Sequence, residues 1–191
     1  MSANSYLLTA DGKTAVAVDC GGEGLWEYAL SKGLKIEYLL LTHGHYDHIA
    51  GCAALAERGV KIGAAEKEVP LIRGKGNLAL LFGASVSDFP IDFTFSDNDV
   101  LTLCGMEIEV IATPGHTAGG VCFKTEKNLF TGDTLFCGSV GRTDFPTGDA
   151  SALKKSIRER LFALDGNFSV YPGHEEESSL DYERKFNPYI R

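Results

Sequence analysis

Five histidines and two aspartates carry the most distinctive chemistry in this sequence. Three of the histidines and one aspartate fall in the segment HGHYDH (residues 43–48). The other two histidines, His116 and His174, each follow a Pro-Gly pair, and Asp133 follows a Thr-Gly pair. Imidazole and carboxylate groups are ligands that zinc and iron take in proteins. Because three histidines and an aspartate this close together bury badly without a cation, the pattern predicts a metal site rather than a set of core residues.

The spacing of these side chains can serve two cations. One cation can be held by His43, His45 and His116, the second by Asp47, His48 and His174, and the two oxygens of Asp133 can bridge them. With cations about 3.5–4 Å apart, a shared water becomes hydroxide near neutral pH. We therefore predict two divalent metal ions, zinc first with iron or manganese as alternatives. In this hydrolytic centre Asp47 and Asp133 are the predicted catalytic carboxylates.

Each group of candidate ligands follows a predicted β-strand. Apolar runs predict four short strands that end just before the four groups: 36–41, 106–111, 128–130 and 168–171. Open α/β sheets bind ligands beyond the carboxyl ends of their strands. We therefore expect these strand ends to share one edge of the protein.

The remaining pattern predicts a mixed α/β protein without repeats or linkers, a single domain over residues 1–191. A turn at Asp11-Gly12 between apolar runs predicts an N-terminal β-hairpin. Further strands are expected at 100–103 and 121–124, helices at 24–32, 49–58, 149–164 and 180–186, and short helices and loops over 66–92. Within that last region, the apolar run 78–82 is expected in the core, with the wall of a substrate pocket as the alternative.

Composition excludes several classes of protein. With 44% hydrophobic and 23% charged residues the chain has the composition of a globular domain. The formal net charge of −8 disfavours nucleic acid as a partner. Five cysteines without a Cys-x-x-Cys pair indicate reduced, buried thiols, and neither a secretory signal nor an apolar run of membrane-spanning length is present. We expect a cytoplasmic protein that acts on a small molecule away from membranes, and its oligomeric state is left open.

In their order along the chain, the motifs HGHYDH (43–48), PGHT (114–117), TGD (131–133) and PGH (172–174) resemble those of the metallo-β-lactamase superfamily. The resemblance covers essentially the whole chain. It implies an αββα sandwich, in which two mixed β-sheets pack face to face, helices cover the outer faces and metal ions lie at one edge. The assignment of ligands given above coincides with the pattern of that family.

Within the superfamily, TGDTLF (131–136) followed by GSVGRTDFP (138–146) is similar to the small hydroxyacylglutathione hydrolases, which are glyoxalase II-like. This resemblance implies a metal-dependent hydrolase that cleaves a thioester such as S-lactoylglutathione, or a related ester, through a metal-bridging hydroxide. True β-lactamases are disfavoured, because a cysteine stands at the place of Asp133 in one well-known subclass.

Two departures from glyoxalase II concern its substrate. Only 17 residues follow His174 (191 − 174), so the C-terminal helical domain that contacts glutathione in glyoxalase II is expected to be absent. The acidic run 175–177 replaces a Gly-Pro pair of the small relatives and should weaken binding of the glutathione carboxylates, with a solvated turn that has no part in binding as the alternative. Arg142 is the best basic candidate for a substrate contact, and an ion pair with Asp144 is its alternative role.

Two other functions fit the same motifs. Persulfide dioxygenases share the fold and the segment GRTDF (141–145), and resemblance to them implies one iron held at His43, His116 and Asp133. Val140 and Pro146 are closer to the hydrolase pattern. A non-catalytic metal-binding module is the second alternative, and the complete set of seven ligands argues against it because structural sites are usually closed by four.

Overall fold

Two mixed β-sheets form the centre of the protein, for which a computed structural model describes residues 3–190. The first sheet has five strands: β1 (Tyr6–Leu8), β2 (Thr14–Val18), β3 (Lys35–Leu41), β4 (Lys61–Ala65) and β5 (Phe93–Phe95). They lie side by side in that order, with β1 antiparallel to β2 and the other neighbours parallel.

The second sheet has six strands, and a small separate hairpin lies between two of them in the chain. The strands of the sheet are β6 (Val100–Leu103), β7 (Met106–Ala112), β8 (Val121–Lys124), β9 (Asn128–Gly132), β12 (Ser169–Pro172) and β13 (Ser178–Ser179), and the hairpin is β10 (Leu135–Phe136) with β11 (Ser139–Val140). The order across the sheet is β13-β12-β9-β8-β7-β6. Only the β9–β12 pair in it is parallel, because the chain between those strands crosses over through a helix.

Within residues 3–190, six α-helices lie outside the sheets: α1 (Gly24–Ser31), α2 (Tyr46–Ile49), α3 (Cys52–Glu57), α4 (Val69–Arg73), α5 (Ala150–Ser156) and α6 (Leu180–Phe186). Short 3-10 turns occupy Glu66–Glu68, Lys75–Asn77 and Leu80–Phe82, and α5 continues as a π-helical turn over Ile157–Leu161. No helix within the described part of the chain has the length and apolar character needed to cross a membrane.

Alternation along the strands divides the buried side chains into three apolar layers. Successive residues of a strand point to opposite faces. Leu40 therefore faces the second sheet, where it packs in one cluster with Phe123 and Phe130, whereas Leu39 and Leu41 face the helices. On the far side of the second sheet, the layer under α5 and α6 contains Ile111, Leu129, Leu153, Ile157 and Leu180. Helix, sheet, sheet and helix thus succeed one another, which confirms the predicted αββα sandwich.

The predicted helix over 49–58 differs from the observed structure. Helix α2 begins earlier, at Tyr46, and the chain turns before α3 begins at Cys52. Gly51 lies against another segment, where an added Cβ would come within 2.4 Å of the Cys20 sulfur. The helix at 149–164 begins as predicted, because the Asp149 carboxylate accepts hydrogen bonds from the amides of Ser151 (2.8 Å) and Ala152 (2.9 Å).

The expectation that the whole apolar run 78–82 is core was wrong for three of its five residues. Leu78 and Ala79 are buried, but Leu80, Leu81 and Phe82 are 73%, 67% and 51% exposed. The 3-10 turn over Leu80–Phe82 carries these three side chains outward, away from the two buried residues that precede it.

Candidate metal centre

The seven candidate ligands meet at one edge of the sandwich, where strands of both sheets end. His43 follows β3 of the first sheet, whereas His116, Asp133 and His174 follow β7, β9 and β12 of the second. Between the candidate ligands, His45 Nδ1 lies 2.8 Å from His116 Nε2, His48 Nε2 lies 3.2 Å from Asp133 Oδ1, and His174 Nε2 lies 3.2 Å from Asp47 Oδ2. Residues up to 127 positions apart in the chain (174 − 47) are therefore neighbours.

The ligand atoms form three overlapping groups, each with its atoms within 4.8 Å of one another: His43, His45 and His116; His43, His48 and Asp133; and Asp47, His48 and His174. The first and third groups have the composition predicted for the two cations. Asp133 lies between them, with Oδ2 at 3.4 Å from His116 Nε2 and 3.6 Å from His174 Nε2. This arrangement fits a dinuclear metal site.

The hydrogen bonding of the centre also fits bound cations. The Nε2 atoms of His43, His45 and His48 and the Oδ1 atom of Asp133 are all buried without a well-formed hydrogen bond, although His48 Nε2 and Asp133 Oδ1 form an ion pair at 3.2 Å. Buried polar atoms are nearly always paired, and an unpaired one costs about 1–3 kcal/mol. Four such atoms in one place are expected where several side chains bind the same cation.

Three of the histidines are held neutral, the state in which imidazole binds metals. Burial lowers the pKa of His43 well below its usual value, and neighbouring histidines lower it further. Burial and then His116 lower the pKa of His45 to about 3. Burial likewise lowers the pKa of His116.

The other ligands form charge pairs. Burial alone would lower the pKa of His48, but the carboxylates of Asp133 and Asp19 outweigh it and raise the pKa well above its usual value. A hydrogen bond to Asp47 raises the pKa of His174. These pairings keep the carboxylates ionised: Asp133 has a lowered pKa although burial opposes this, because the histidines around it favour its charged form.

Asp19 is part of the centre, and the sequence analysis missed it. It follows β2, is 2% exposed, and adopts a left-handed backbone conformation with φ at 55°. Its carboxylate accepts hydrogen bonds from the Thr42 amide (2.8 Å) and hydroxyl (2.7 Å) and lies 2.8 Å from His48 Nδ1. The Thr42 hydroxyl also lies 3.1 Å from His43 Nδ1. One carboxylate thus orients two of the candidate ligands from behind.

Glu68 is the second buried acid that the sequence analysis missed. It is 1% exposed, and its Oε1 accepts a hydrogen bond from the Gly44 amide at 3.1 Å, between His43 and His45. Its Oε2 lies so close to Gly119 that a Cβ there would come within 2.4 Å of it. Burial raises the pKa of Glu68. Glu68 therefore joins the first histidine loop to the loop that follows His116.

The N-terminal segment fixes the last histidine loop. Tyr6 donates a hydrogen bond of 2.6 Å to the Pro172 carbonyl, and the Asn4 amide side chain donates to the carbonyls of Pro172 (3.1 Å) and Glu175 (2.9 Å). Gly173 has no room for a side chain, since a Cβ would lie 2.3 Å from Asp133 Oδ1. The Pro-Gly pair before His174 therefore packs tightly against the centre.

The backbone of Arg142 contacts the edge of the centre, whereas its side chain forms an ion pair outside it. Its carbonyl accepts a hydrogen bond from His116 Nδ1 at 2.7 Å, which leaves Nε2 of that ring facing Asp133. The guanidinium pairs with both oxygens of Asp144 at 2.7 Å and lies 3.9 Å from the centre of the Phe145 ring. The ion pair considered as its alternative role is thus present.

Comparison with known proteins agrees with this geometry. The family model of the metallo-beta-lactamase superfamily matches residues 1–174. This chain belongs to that superfamily. Hydroxyacylglutathione hydrolase GloC of Haemophilus influenzae is 36% identical over 195 residues, covering 98% of this chain and 92% of the relative. Membership in the superfamily and this relative support a metal-dependent hydrolase.

Other members of the superfamily show that neither substrate nor metal follows from the fold. A crystal structure titled BLEG-1 B3 metallo-beta-lactamase has a TM-score of 0.92 and 31% identity, covering 98% of this chain and 94% of that one. The structure of TTHA1623 in a di-iron-bound form has a TM-score of 0.87 and 32% identity, with the same coverage. Mouse mitochondrial persulfide dioxygenase ETHE1 is 34% identical over 165 residues, 83% of this chain and 58% of the relative.

Proposed function

We propose that this protein hydrolyses a thioester of the S-lactoylglutathione type, or a related activated ester, with the help of two divalent cations. The observation that carries the proposal is the cluster of seven imidazole and carboxylate groups, in which four buried ligand atoms have no well-formed hydrogen bond. The similarity to a protein named hydroxyacylglutathione hydrolase supports the choice of a thioester. Zinc is the proposed metal, and a di-iron structural relative makes iron the alternative.

The proposed ligand sets follow the three groups of atoms. His43, His45 and His116 would hold one cation, Asp47, His48 and His174 the second, and Asp133 both. When bound, such cations lower the pKa of a water molecule and polarise a carbonyl oxygen. An open coordination position is what separates such a site from a closed structural one.

The side chains then act on the water and on the ester. The Asp47 side chain is 17% exposed, and the oxygen not paired with His174 can orient the attacking water. As that water adds to the carbonyl carbon, a C–O bond forms and the C–S bond breaks. The thiolate takes up the proton that the water gave, so the products are a carboxylic acid and a thiol. Because a thiolate is a good leaving group, the scheme needs no separate general acid.

The persulfide dioxygenase reaction is a second candidate, favoured by the 34% identity to ETHE1. That function would need one iron held by His43, His116 and Asp133. Asp47 separates the two proposals, because it belongs to the second cation of the hydrolase and has no part in the mono-iron set.

The experiment measures both reactions on one sample of known metal content. S-lactoylglutathione hydrolysis and oxygen uptake with glutathione persulfide are compared for the wild type, Asp47→Asn and the control Asp92→Asn, whose carboxylate pairs with Lys61 on the first sheet. The hydrolase proposal expects two ions per chain and a hydrolysis rate that Asp47→Asn lowers at least a hundredfold. Oxygen uptake that survives Asp47→Asn would support the dioxygenase instead. Metal binding without oxygen uptake and without hydrolysis of any thioester tested would support a binding module. The single domain, the cytoplasmic location and the absence of nucleic-acid and membrane partners stay predictions.

A further inference from the structure

Five apolar side chains, three of them exposed and two half-buried, form a surface beside the metal centre. They are Leu80, Leu81 and Phe82 of the 3-10 turn, together with Tyr46 and Phe145, and we call this surface the apolar shelf. Exposing leucine and phenylalanine to water at 51–73% forgoes the stabilisation that burial of such side chains provides, about 1.5–3 kcal/mol each. A cluster of exposed apolar residues on a soluble surface usually marks a binding site.

The apolar shelf is fixed by the residues that precede it. Leu78 and Ala79 are buried, at 4% and 5% exposure, and the Asn77 side chain holds the backbone that precedes the turn at two points. The Asn77 side chain accepts a hydrogen bond from the Ala79 amide (3.0 Å) and donates one to the Ile72 carbonyl (3.2 Å). The exposed side chains are therefore presented by an anchored turn.

A continuous series of ring contacts joins the apolar shelf to a candidate metal ligand. Tyr46 stacks on Phe82 with ring centres 5.4 Å apart and an interplanar angle of 26°. Phe82 meets Phe145 edge to face at 5.9 Å, and Phe145 meets His45 in the same way at 5.8 Å. A substrate whose reacting carbonyl lies at the metal centre would thus have its substituent within reach of Phe145 and Phe82.

The charged groups next to Phe145 and His174 disfavour an acidic substituent. Arg142 touches Phe145, but both oxygens of Asp144 already pair with it. On the side of His174, Glu175, Glu176 and Glu177 are all exposed. Carboxylates of a substrate would meet like charges there, whereas an uncharged chain would gain from covering the rings.

We infer that the substrate is a thioester or ester with an uncharged, apolar chain, which lies across the apolar shelf while the carbonyl is at the metal centre. This inference rests on the proposed hydrolase function and names its substrate class. It makes Phe82 and Phe145 specificity-determining residues, and it expects the doubly carboxylated glutathione thioester to be the poorer substrate.

The test varies chain length at constant chemistry. One series carries acetyl, butanoyl, hexanoyl and octanoyl groups on N-acetylcysteamine, a neutral thiol, and a second keeps the acetyl group and lengthens an alkyl thiol. In the series whose lengthened chain covers the apolar shelf, kcat/KM is expected to rise about two- to fourfold per methylene. This is the range for half to full burial of a CH₂ group. Phe82→Ser should reduce this dependence to below about 1.5-fold per methylene. Binding of unreactive S-alkyl thioethers, measured by calorimetry, should show the same trend.

Phe186→Ser is the matched control, because Phe186 is 45% exposed and pairs with Tyr182 on α6. It should leave the chain-length dependence unchanged, and melting temperature and metal content are compared for both variants. A flat dependence in both series, together with preferred hydrolysis of S-lactoylglutathione, would overturn the inference and leave the hydrolase function standing. Absence of hydrolysis for every thioester would instead overturn the proposed function. A dimer that covers the apolar shelf in solution and dissociates in Phe82→Ser would also overturn the inference.

Discussion

Replacing Asp19 by asparagine should weaken metal binding without a direct change to any candidate ligand. In the wild type, the Asp19 carboxylate accepts hydrogen bonds and has none to donate. The Thr42 hydroxyl therefore donates to it, and His48 keeps a proton on Nδ1, which faces it at 2.8 Å. With its own hydrogen donated, the Thr42 hydroxyl accepts from His43 Nδ1 at 3.1 Å. With a cation bound in place of the Nε2 proton of His48, both rings carry their proton on Nδ1, and both Nε2 lone pairs are free to bind the cations.

Asparagine at this position reverses the direction of that network. The amide oxygen can still accept from the Thr42 backbone, but the NH₂ group now donates toward the hydroxyl and toward His48. The hydroxyl must then donate to His43, so protons move to Nε2 of both histidines, where a cation would bind. Changes behind a metal ligand cost 10–100-fold in affinity, and we expect a loss of about this size for both cations. Exchanging charged for neutral hydrogen bonds should also lower the unfolding free energy by about 1–3 kcal/mol.

Competition with a chromophoric chelator measures the affinity, and elemental analysis after gel filtration gives the number of ions per chain. Asp92→Asn is the control, because Asp92 accepts hydrogen bonds from the Ile62 amide and Lys61 on the same sheet, away from the histidines. The reasoning is refuted if Asp19→Asn folds, keeps two ions per chain and competes with the chelator as well as the control does. A loss of stability with unchanged affinity would refute the proton-position argument alone.

Three further changes test the centre and its supports. Asp133→Ala should abolish hydrolysis while the circular dichroism spectrum is retained, and wild-type turnover in that variant would contradict its proposed place between the cations. Glu68→Ala should lower the unfolding free energy by about 2–3 kcal/mol in a denaturant titration, because the buried Gly44 amide loses its acceptor, whereas Glu68→Gln keeps an oxygen there and should cost less than half as much. Burial raises the pKa of Tyr6 to about 12 from 10.0, so its contribution to stability is complete below pH 10 and is lost as pH rises toward 12. The difference in stability between the wild type and Tyr6→Phe should therefore shrink over that interval, and a constant difference would contradict the raised pKa.

The sequence predicted the strands that carry the candidate ligands better than the helices beside them. Apolar runs such as 36–41 and 106–111 are short, and turns bound them, so their ends fall within a residue of β3 and β7. The helix at 49–58 was predicted from periodicity, but its interruption at Gly51 depends on contact with residue 20, which no local pattern reveals. The αββα arrangement came from the order of the motifs.

The seven candidate ligands could be identified because several carry an unusual pattern within a few residues. Asp19 and Glu68 could not, since a single acid after an apolar strand is common and its partner lies 23 or 24 positions away. The exposure of Leu80 and Phe82 was also hidden, because apolar residues predict burial in the absence of other information. In each case the deciding contact joins segments that are distant in the sequence, so no local pattern reveals it.

The position of the centre at the ends of strands from both sheets has a consequence for biosynthesis. A cation held by the loop after β3 and the loops after β9 and β12 would cross-link the two halves of the sandwich. The ribosome releases residues 43–48 long before residue 174, so the first four candidate ligands precede the last one by most of the chain. A nascent chain could hold an ion in that early loop only weakly, and full occupancy would coincide with closure of the sandwich. Metal supply would then set the yield of mature protein as well as its turnover.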